Sequence, residues 1–328
     1  MDKKTILLEL SKALRHSRDR KLDPWAVIQT RVPLIKISDQ KTDLTCDISM
    51  ENDLSLYKAS LLRCYVAIDA RFPKVLALVK TWAQARNIND AAQHTLNSFG
   101  YTLLVIQFLQ TCSTPVLPCL QAQTLEFNGK TFQQPPAVDT VGNLEIRYHG
   151  CQGATWDDVS HLVGFGKANT KEVDELFVEF LHFVGVVLDL DSHCVCIRDG
   201  ALKPADKTQF KHKHLPQLCI EDPFDHADNV SRSLTETSSK RVRLEFLRAF
   251  EIMSRTGDFR RLCQASVRGN GAPANRDSHA LGAAAHAAAG VGPLNGTHAR
   301  GSRGGGFVGV RYGGHSGMHG VPLGGGGV

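Results

Sequence analysis

Nowhere does the sequence hold an uninterrupted apolar segment approaching the roughly 20 residues that a membrane-spanning helix needs. No apolar run of the kind that opens a secretory leader follows Met1. These two absences set the expectation of a soluble, intracellular protein without membrane contact, with the cytoplasm as its default compartment. Paired Cys-x-x-Cys motifs are missing, and the nine cysteines follow no regular spacing, which argues for reduced thiols and against a disulfide framework. His193, Cys194 and Cys196, and His212 and His214 with Cys219, are zinc-capable side chains at spacings that do not match the usual paired ligand pattern. The core also lacks internal repeats and any Walker-type or dinucleotide-binding glycine motif.

What is present suffices for one large or two ordinary domains: 328 residues with 42% hydrophobic content. The formal charge of +5 is unevenly placed. From Ser266 to Val328 there are five arginines, no lysine and one acidic residue, so this tail carries about +4 and the preceding chain about +1. A strongly basic core is therefore not an argument for nucleic acid here, and any RNA site in it has to be a local patch. The tail also holds 19 of the 29 glycines and almost no periodic apolar pattern, which predicts a disordered segment. Its arginines and aromatic residues among glycines could contact RNA by charge and stacking; a plain flexible tail is the alternative.

Apolar periodicity outlines the rest. Ile6, Leu7, Leu10 and Leu14 have helical spacing, and Pro24 is read as closing off that segment. "VPLIKI" and "LTCDIS", joined by "SDQKTD", read as two antiparallel strands. Helical patterns follow, beginning at Asn52 or Asp53 as a cap, then with Pro73 in a first turn, then through the strongly apolar "LNSFGYTLLVIQFLQTC". Residues 113 to 139, rich in proline and polar residues, read as a loop. Beyond it come the helix "EVDELFVEFLHFVGVVLDL", the short strand "CVCIRDG", a basic loop from Lys203 to His214, the segment "LCIEDPFDHADNVSRS" and a last helix, "SSKRVRLEFLRAFEIM".

Asp47 puts a carboxylate on one of the two predicted strands. Such an aspartate ordinarily faces solvent or caps a turn. It becomes a metal ligand where other carboxylates face it and substrate phosphates complete the shell, because Mg²⁺ takes oxygen ligands. Context bears on the choice. "VPLIKISDQKTDLTCDIS", "LVKTWAQARNIND", "TLNSFGYTLLVIQFLQ", "PVLPCLQ" and "LCIEDPFDHADNVSR" follow one another in an order and at distances that resemble the noncanonical poly(A) polymerase and terminal uridylyltransferase family, RNA nucleotidyltransferases of the polymerase-beta-like superfamily. The resemblance covers about Trp25 to Met253.

It implies an α+β fold: a partial nucleotidyltransferase palm over 1–52, a mostly helical central domain over 53–265 that includes a polymerase-associated region at about 173–232, and the Gly/Arg-rich tail over 266–328. By resemblance Asp47 is the third catalytic aspartate, which binds metal and helps activate the attacking RNA 3′-hydroxyl. Lys80 matches the lysine that holds the triphosphate, and an ammonium is a sensible counter-charge for phosphate oxygens. Ser98 and Phe99 match the positions that hydrogen-bond the triphosphate and stack on the base, with Phe where the family commonly has Tyr. Asp222 and Asp225 match acidic positions in the loop that shapes the base pocket. Asp228 falls where uridine-preferring members often have His, and His226 stands two residues early. The implied cofactor is Mg²⁺ or Mn²⁺, and the implied partners are an RNA 3′ end and UTP or ATP; no protein partner is implied.

Three departures qualify that picture. Lys58 and Ala59 stand where many relatives have Asn and Thr, and Gln84 replaces a second lysine one turn beyond Lys80. The family's Gly-Ser-x-x-x-Asp-x-Asp motif, which supplies the first two metal aspartates, is absent from residues 1–46. Asp189 and Asp191 form an Asp-x-Asp, but they lie downstream of Asp47 and are read as a decoy. One carboxylate cannot replace three in a two-metal transfer. The expectation is thus an N-terminally truncated member, inactive alone, of a class that adds UMP or AMP to RNA 3′ ends without a template. A catalytically dead RNA- or protein-binding relative is the alternative.

Overall fold

The computed structural model describes residues 2–16, 22–28, 33–39, 42, 44–50, 52–153, 157–189, 192–204, 209–211 and 218–264. The Gly/Arg-rich tail, Asp191, His212 and His214 lie outside the described residues.

The first helix, α1 (Lys3–Arg15), starts where the Asp2 carboxylate accepts from Lys4 N, and it ends in the basic residues Lys12 and Arg15. Those are the charges that suit the two ends of a helix dipole. Three antiparallel strands follow, β1 (Leu22–Val27), β2 (Leu34–Asp39) and β3 (Leu44–Ser49), in the order β1-β2-β3. Alternation along β2 sends Ile35 and Ile37 into a small core with Leu7 of α1, while Lys36 stays exposed.

β1 departs from the sequence reading, in which Pro24 only closed a segment. Pro24 is inside the strand, opposite Ile37. Proline is tolerated there because β1 is an edge strand, so its missing N–H deprives no neighbour of a ladder bond. Its carbonyl accepts from Arg15 Nε at 2.9 Å, which ties the strand to α1.

From residue 52 the architecture turns helical. α2 (Asp53–Ile68), α3 (Arg71–Ala85) and α4 (Ser98–Thr111) carry the centre of the large core. Every residue of α4 from Gly100 to Gln110 is buried, as expected of a helix that is apolar nearly all round. Its two glutamines are used as fasteners. Gln107 Oε1 accepts from Cys196 N at 2.8 Å, and Gln110 Nε2 donates to the Tyr65 hydroxyl at 3.1 Å and to Ile197 O at 3.1 Å.

The stretch read as a loop holds structure. β4 (Thr124–Phe127) and β5 (Lys130–Gln133) form a hairpin, and β6 (Asp139–Val141) with β7 (Leu144–Ile146) forms a second. Helix α5 (Val173–His182), continued by a wide π-type turn over Phe183–Val187, packs on α3 and on the later helix α6. A small sheet of β8 (His193–Val195), β9 (Lys203–Pro204) and β10 (Cys219–Ile220) has β8 in the middle, parallel to β10. α6 (Glu236–Thr256), capped by Thr235, and the short α7 (Phe259–Cys263) complete the described chain. Trp82 of α3 and Phe246 of α6 meet edge to face at 4.8 Å between ring centroids in the middle of the helical body.

Candidate functional site

The segment between β10 and α6 is an excursion closed by its own polar groups. Asn229 Oδ1 accepts from Ile220 N at 3.0 Å, from Ser231 N at 3.1 Å and from Ser231 Oγ at 2.7 Å, which joins the two ends of the excursion. Asn97, the cap of α4, donates its side-chain amide to Val230 O at 3.2 Å and accepts from Gly100 N at 2.7 Å. The excursion is thereby pinned to the start of α4, where Ser98 and Phe99 stand.

The three predicted aspartates line this segment and each has a defined role. Asp222 is 1% exposed, and its Oδ1 accepts from Phe224 N and Asp225 N, both at 3.1 Å. Its backbone N–H donates to Asp228 O at 3.1 Å. Asp225 pairs with Lys211 at 2.9 and 3.0 Å. Asp228 pairs with Arg232 Nη1 at 2.9 and 3.1 Å. Asp228 is buried while His226 is exposed, so the two candidates for the base-selecting position occupy different environments.

Lys58 of α2 joins two of the predicted residues. Its ammonium forms a hydrogen-bonded ion pair with Asp222 Oδ2 and lies 5.4 Å from the centroid of the Phe99 ring. A cation at that distance is attracted by the ring's π face. The residue that departs from the family pattern is therefore the one that brings Phe99 and Asp222 together. Sequence reasoning noted Lys58 only as a substitution; a lysine and an acidic loop 164 positions apart give no local signal of contact.

Ser98, exposed in the first turn of α4, exchanges hydrogen bonds with the Asn89 side chain at 3.1 and 3.3 Å. Lys80 of α3 is half-buried, and burial alone holds its ammonium below the usual lysine range. No carboxylate pairs with it among the described residues. Asp189 of the decoy pair accepts from the Ser192 hydroxyl in its own turn.

Asp47 is not part of this group. It lies on β3 directly across from Lys36, whose ammonium is 4.0 Å from its carboxylate, and the two side chains are 52% and 46% exposed. Directly opposed residues of antiparallel strands share a face. Asp47 thus shares the solvent face of the sheet with Lys36, while Ile35 and Ile37 point to the core. One half-exposed carboxylate beside a lysine does not make a site for a divalent cation. Among the described residues no group of three His, Cys, Asp or Glu side chains converges to hold one.

Family models match at both ends of the described chain. Residues 1–67 match the central palm domain of mitochondrial-like poly(A) RNA polymerases, and residues 173–228 match the Cid1 family of poly(A) polymerases. The chain is 32% identical to Poly(A) RNA polymerase cid13 of Schizosaccharomyces pombe over 227 residues, which is 68% of this chain and 36% of that protein. It is 27% identical to Poly(A) RNA polymerase GLD2-A of Xenopus laevis, covering 75% of this chain and 44% of that one. The chain is a homologue of the Cid1 and GLD2 poly(A) and poly(U) polymerases.

With human Terminal uridylyltransferase 7 the identity is 31%, over 73% of this chain and 15% of that protein. The chain spans less than half the length of these relatives. In fold it matches the crystal structure of the Cid1 poly(U) polymerase with a TM-score of 0.65 at 24% identity, over 80% of this chain and 78% of that one. Other matching Cid1 structures hold the UTP analogue UMPNPP or the product ApU. Among the described residues no helix is long and apolar enough to cross a membrane.

Proposed function

We propose that this chain is the nucleotide-binding part of an RNA 3′-terminal nucleotidyltransferase that adds UMP or AMP from a nucleoside triphosphate without a template. Residues 1–52 serve as a partial palm and 53–265 as the helical domain that receives the nucleotide. Lys80 carries the reading: a half-buried ammonium without a carboxylate partner among the described residues suits a ligand that brings negative charge. Phe99 offers a stacking face, Ser98 a hydroxyl at the start of α4, and Asp222, Asp225 and Asp228 edge the base. The base itself stays open between uracil and adenine, because Asp228 is committed to Arg232 and His226 is exposed. RNA and UTP or ATP are the partners of this reading, in the cytoplasm.

Mg²⁺ or Mn²⁺ is the cofactor of the reaction class, and Asp47 would give it one oxygen. The described residues do not assemble the rest of its shell, so no step of transfer is assigned to this chain. That same observation favours a second reading, in which the chain binds nucleotide or RNA and does not extend it.

Titration of UTP and ATP against the chain tests the first reading. Lys80→Ala is expected to weaken triphosphate binding roughly tenfold or more, the size of a lost charge-assisted hydrogen bond. Asp47→Ala should leave it unchanged. Unchanged binding by Lys80→Ala would show the triphosphate assignment to be wrong. In a protein that also carries the upstream Gly-Ser and Asp-x-Asp motif, Asp47→Ala should abolish 3′ extension of a labelled RNA, and residual extension would overturn its metal role.

A further inference from the structure

A cavity of about 660 Å³ lies beside the acidic excursion, walled by Pro223, Phe224 and His226 on one side and by the two hairpins on the other. The volume falls within the roughly 300–1,000 Å³ of small-molecule sites. Two carbonyl oxygens in its lining are buried without a hydrogen-bond partner, Gln121 Oε1 and Gln134 Oε1. Gln121 is only 6% exposed. The amide nitrogens of both are already committed: Gln121 Nε2 donates to Pro223 O at 2.7 Å, and Gln134 Nε2 donates to Gln121 O at 2.7 Å. Neither amide can turn to satisfy its oxygen without breaking the bond its nitrogen makes. A buried acceptor left unmade costs the free energy of its desolvation, so the pair favours a ligand that presents N–H or O–H donors.

Charge narrows the class. Arg198 is held on Glu221 by Nε and Nη2, both at 3.1 Å, and on Asp199 by Nη1 at 3.2 Å. Arg147 is paired with Glu145. Two guanidinium groups and two carboxylates thus line one cavity, which leaves no net positive charge for a triphosphate. A nucleobase has N–H donors on its edge and no formal charge, and a ribose adds hydroxyl donors.

We infer that this cavity is a second site, separate from Lys80 and Phe99, that takes one unstacked nucleoside unit, its donors meeting Gln121 and Gln134. The inference rests on the nucleotidyltransferase reading for its choice of a nucleoside over other neutral polar ligands. The unit comes from a single-stranded RNA or from a free nucleoside, and the two sources separate in the test.

Fluorescence anisotropy with a 12-nucleotide single-stranded RNA, and photocrosslinking of the same RNA carrying 4-thiouridine, address the cavity directly. Gln134→Met removes one orphan acceptor, and Asn143→Trp, at an exposed turn in the lining, fills the cavity without touching a core residue. Each is expected to weaken RNA binding about fivefold or more while triphosphate binding stays as in the unaltered chain. Crosslinks should fall in peptides from 121–147 or 223–226. Loss of those crosslinks on addition of millimolar uridine or adenosine would show that a free nucleoside enters the cavity, and persistence would show that the RNA chain is the source. RNA affinity unchanged in both variants, with no crosslink in either peptide, overturns the second site and leaves the proposed function standing. Failure of the unaltered chain to bind either RNA or triphosphate overturns both.

Discussion

Lys58 is held by a buried carboxylate on one side and an aromatic ring on the other. Asp222 is nearly inaccessible, and a carboxylate there depends on the ammonium and on two backbone N–H donors to offset its desolvation. Replacing Lys58 by Met is therefore expected to lower stability by about 3 kcal/mol, the range found when one partner of a buried pair is removed. Asp222→Asn keeps the oxygen that accepts from Phe224 and Asp225 and removes the charge that Lys58 neutralised. Combined with Lys58→Met it should recover much of the loss, so that urea unfolding of the two single variants and the double variant shows a strong coupling. Additive effects would mean that the ion pair contributes little. The same ammonium lies against Phe99, so a base that stacks on the ring must share that side chain with Lys58 or take its other face.

At the scale of elements, helices were legible because periodicity and caps agree in the sequence. α1, α4 and α6 each begin at a side chain that accepts from the first turn: Asp2, Asn97 and Thr235. The hairpin of β4 and β5 was missed although "LEFNGKTF" contains the Asn-Gly pair that favours a two-residue turn. Proline and polar residues around it gave the stretch the composition of a loop. The pair adopts the positive φ values that such a turn demands, 51° at Asn128 and 70° at Gly129. Gly129→Ala meets no neighbour, so its cost is the backbone alone, about 1 kcal/mol. Gly166→Ala is expected to cost more, for a different reason. Its Cβ would come within 2.5 Å of Asp69 Oδ2 and 2.6 Å of Val116 O, in the knot where Arg71 donates to Gly166 O and Asn169 O. Thermal melts of the two variants should rank Gly166→Ala as the less stable. The site divides in the same way. Asp47, Lys80, Ser98, Phe99 and the three aspartates were found through the order of their motifs. The Lys58 contact and the cavity glutamines were not, since both depend on chain segments that only the fold brings together.

In the whole molecule the apolar core falls into unequal parts. The large cluster runs from Tyr57 to Leu262, whereas the cluster under the N-terminal sheet has three buried members, Leu7, Ile35 and Ile37, and the two share no residue. Local stability follows the apolar contacts that must be broken to open a segment. The helical body has further fasteners. Arg86 at the end of α3 holds Glu245 of α6 by two hydrogen bonds of 2.9 and 2.8 Å, and Gln110 and Gln107 lock α4 to the segment of β8. The sheet of β1, β2 and β3 has its ladder, the bond from Arg15 to Pro24, and a half-exposed pair of Lys36 and Asp47. Hydrogen exchange read by mass spectrometry should therefore show peptides from 22–49 exchanging well ahead of peptides from 98–111 under native conditions. Equal protection in the two regions would mean that they open as one unit and that the division near residue 52 has no energetic counterpart. The expected order places Asp47 on the part of the chain that opens first and Lys80 with Phe99 on the part that opens last. A nucleotide held by Lys80 and Phe99 should accordingly raise protection in 71–111 and leave 22–49 unchanged, which separates binding by the helical body from any contribution of the sheet.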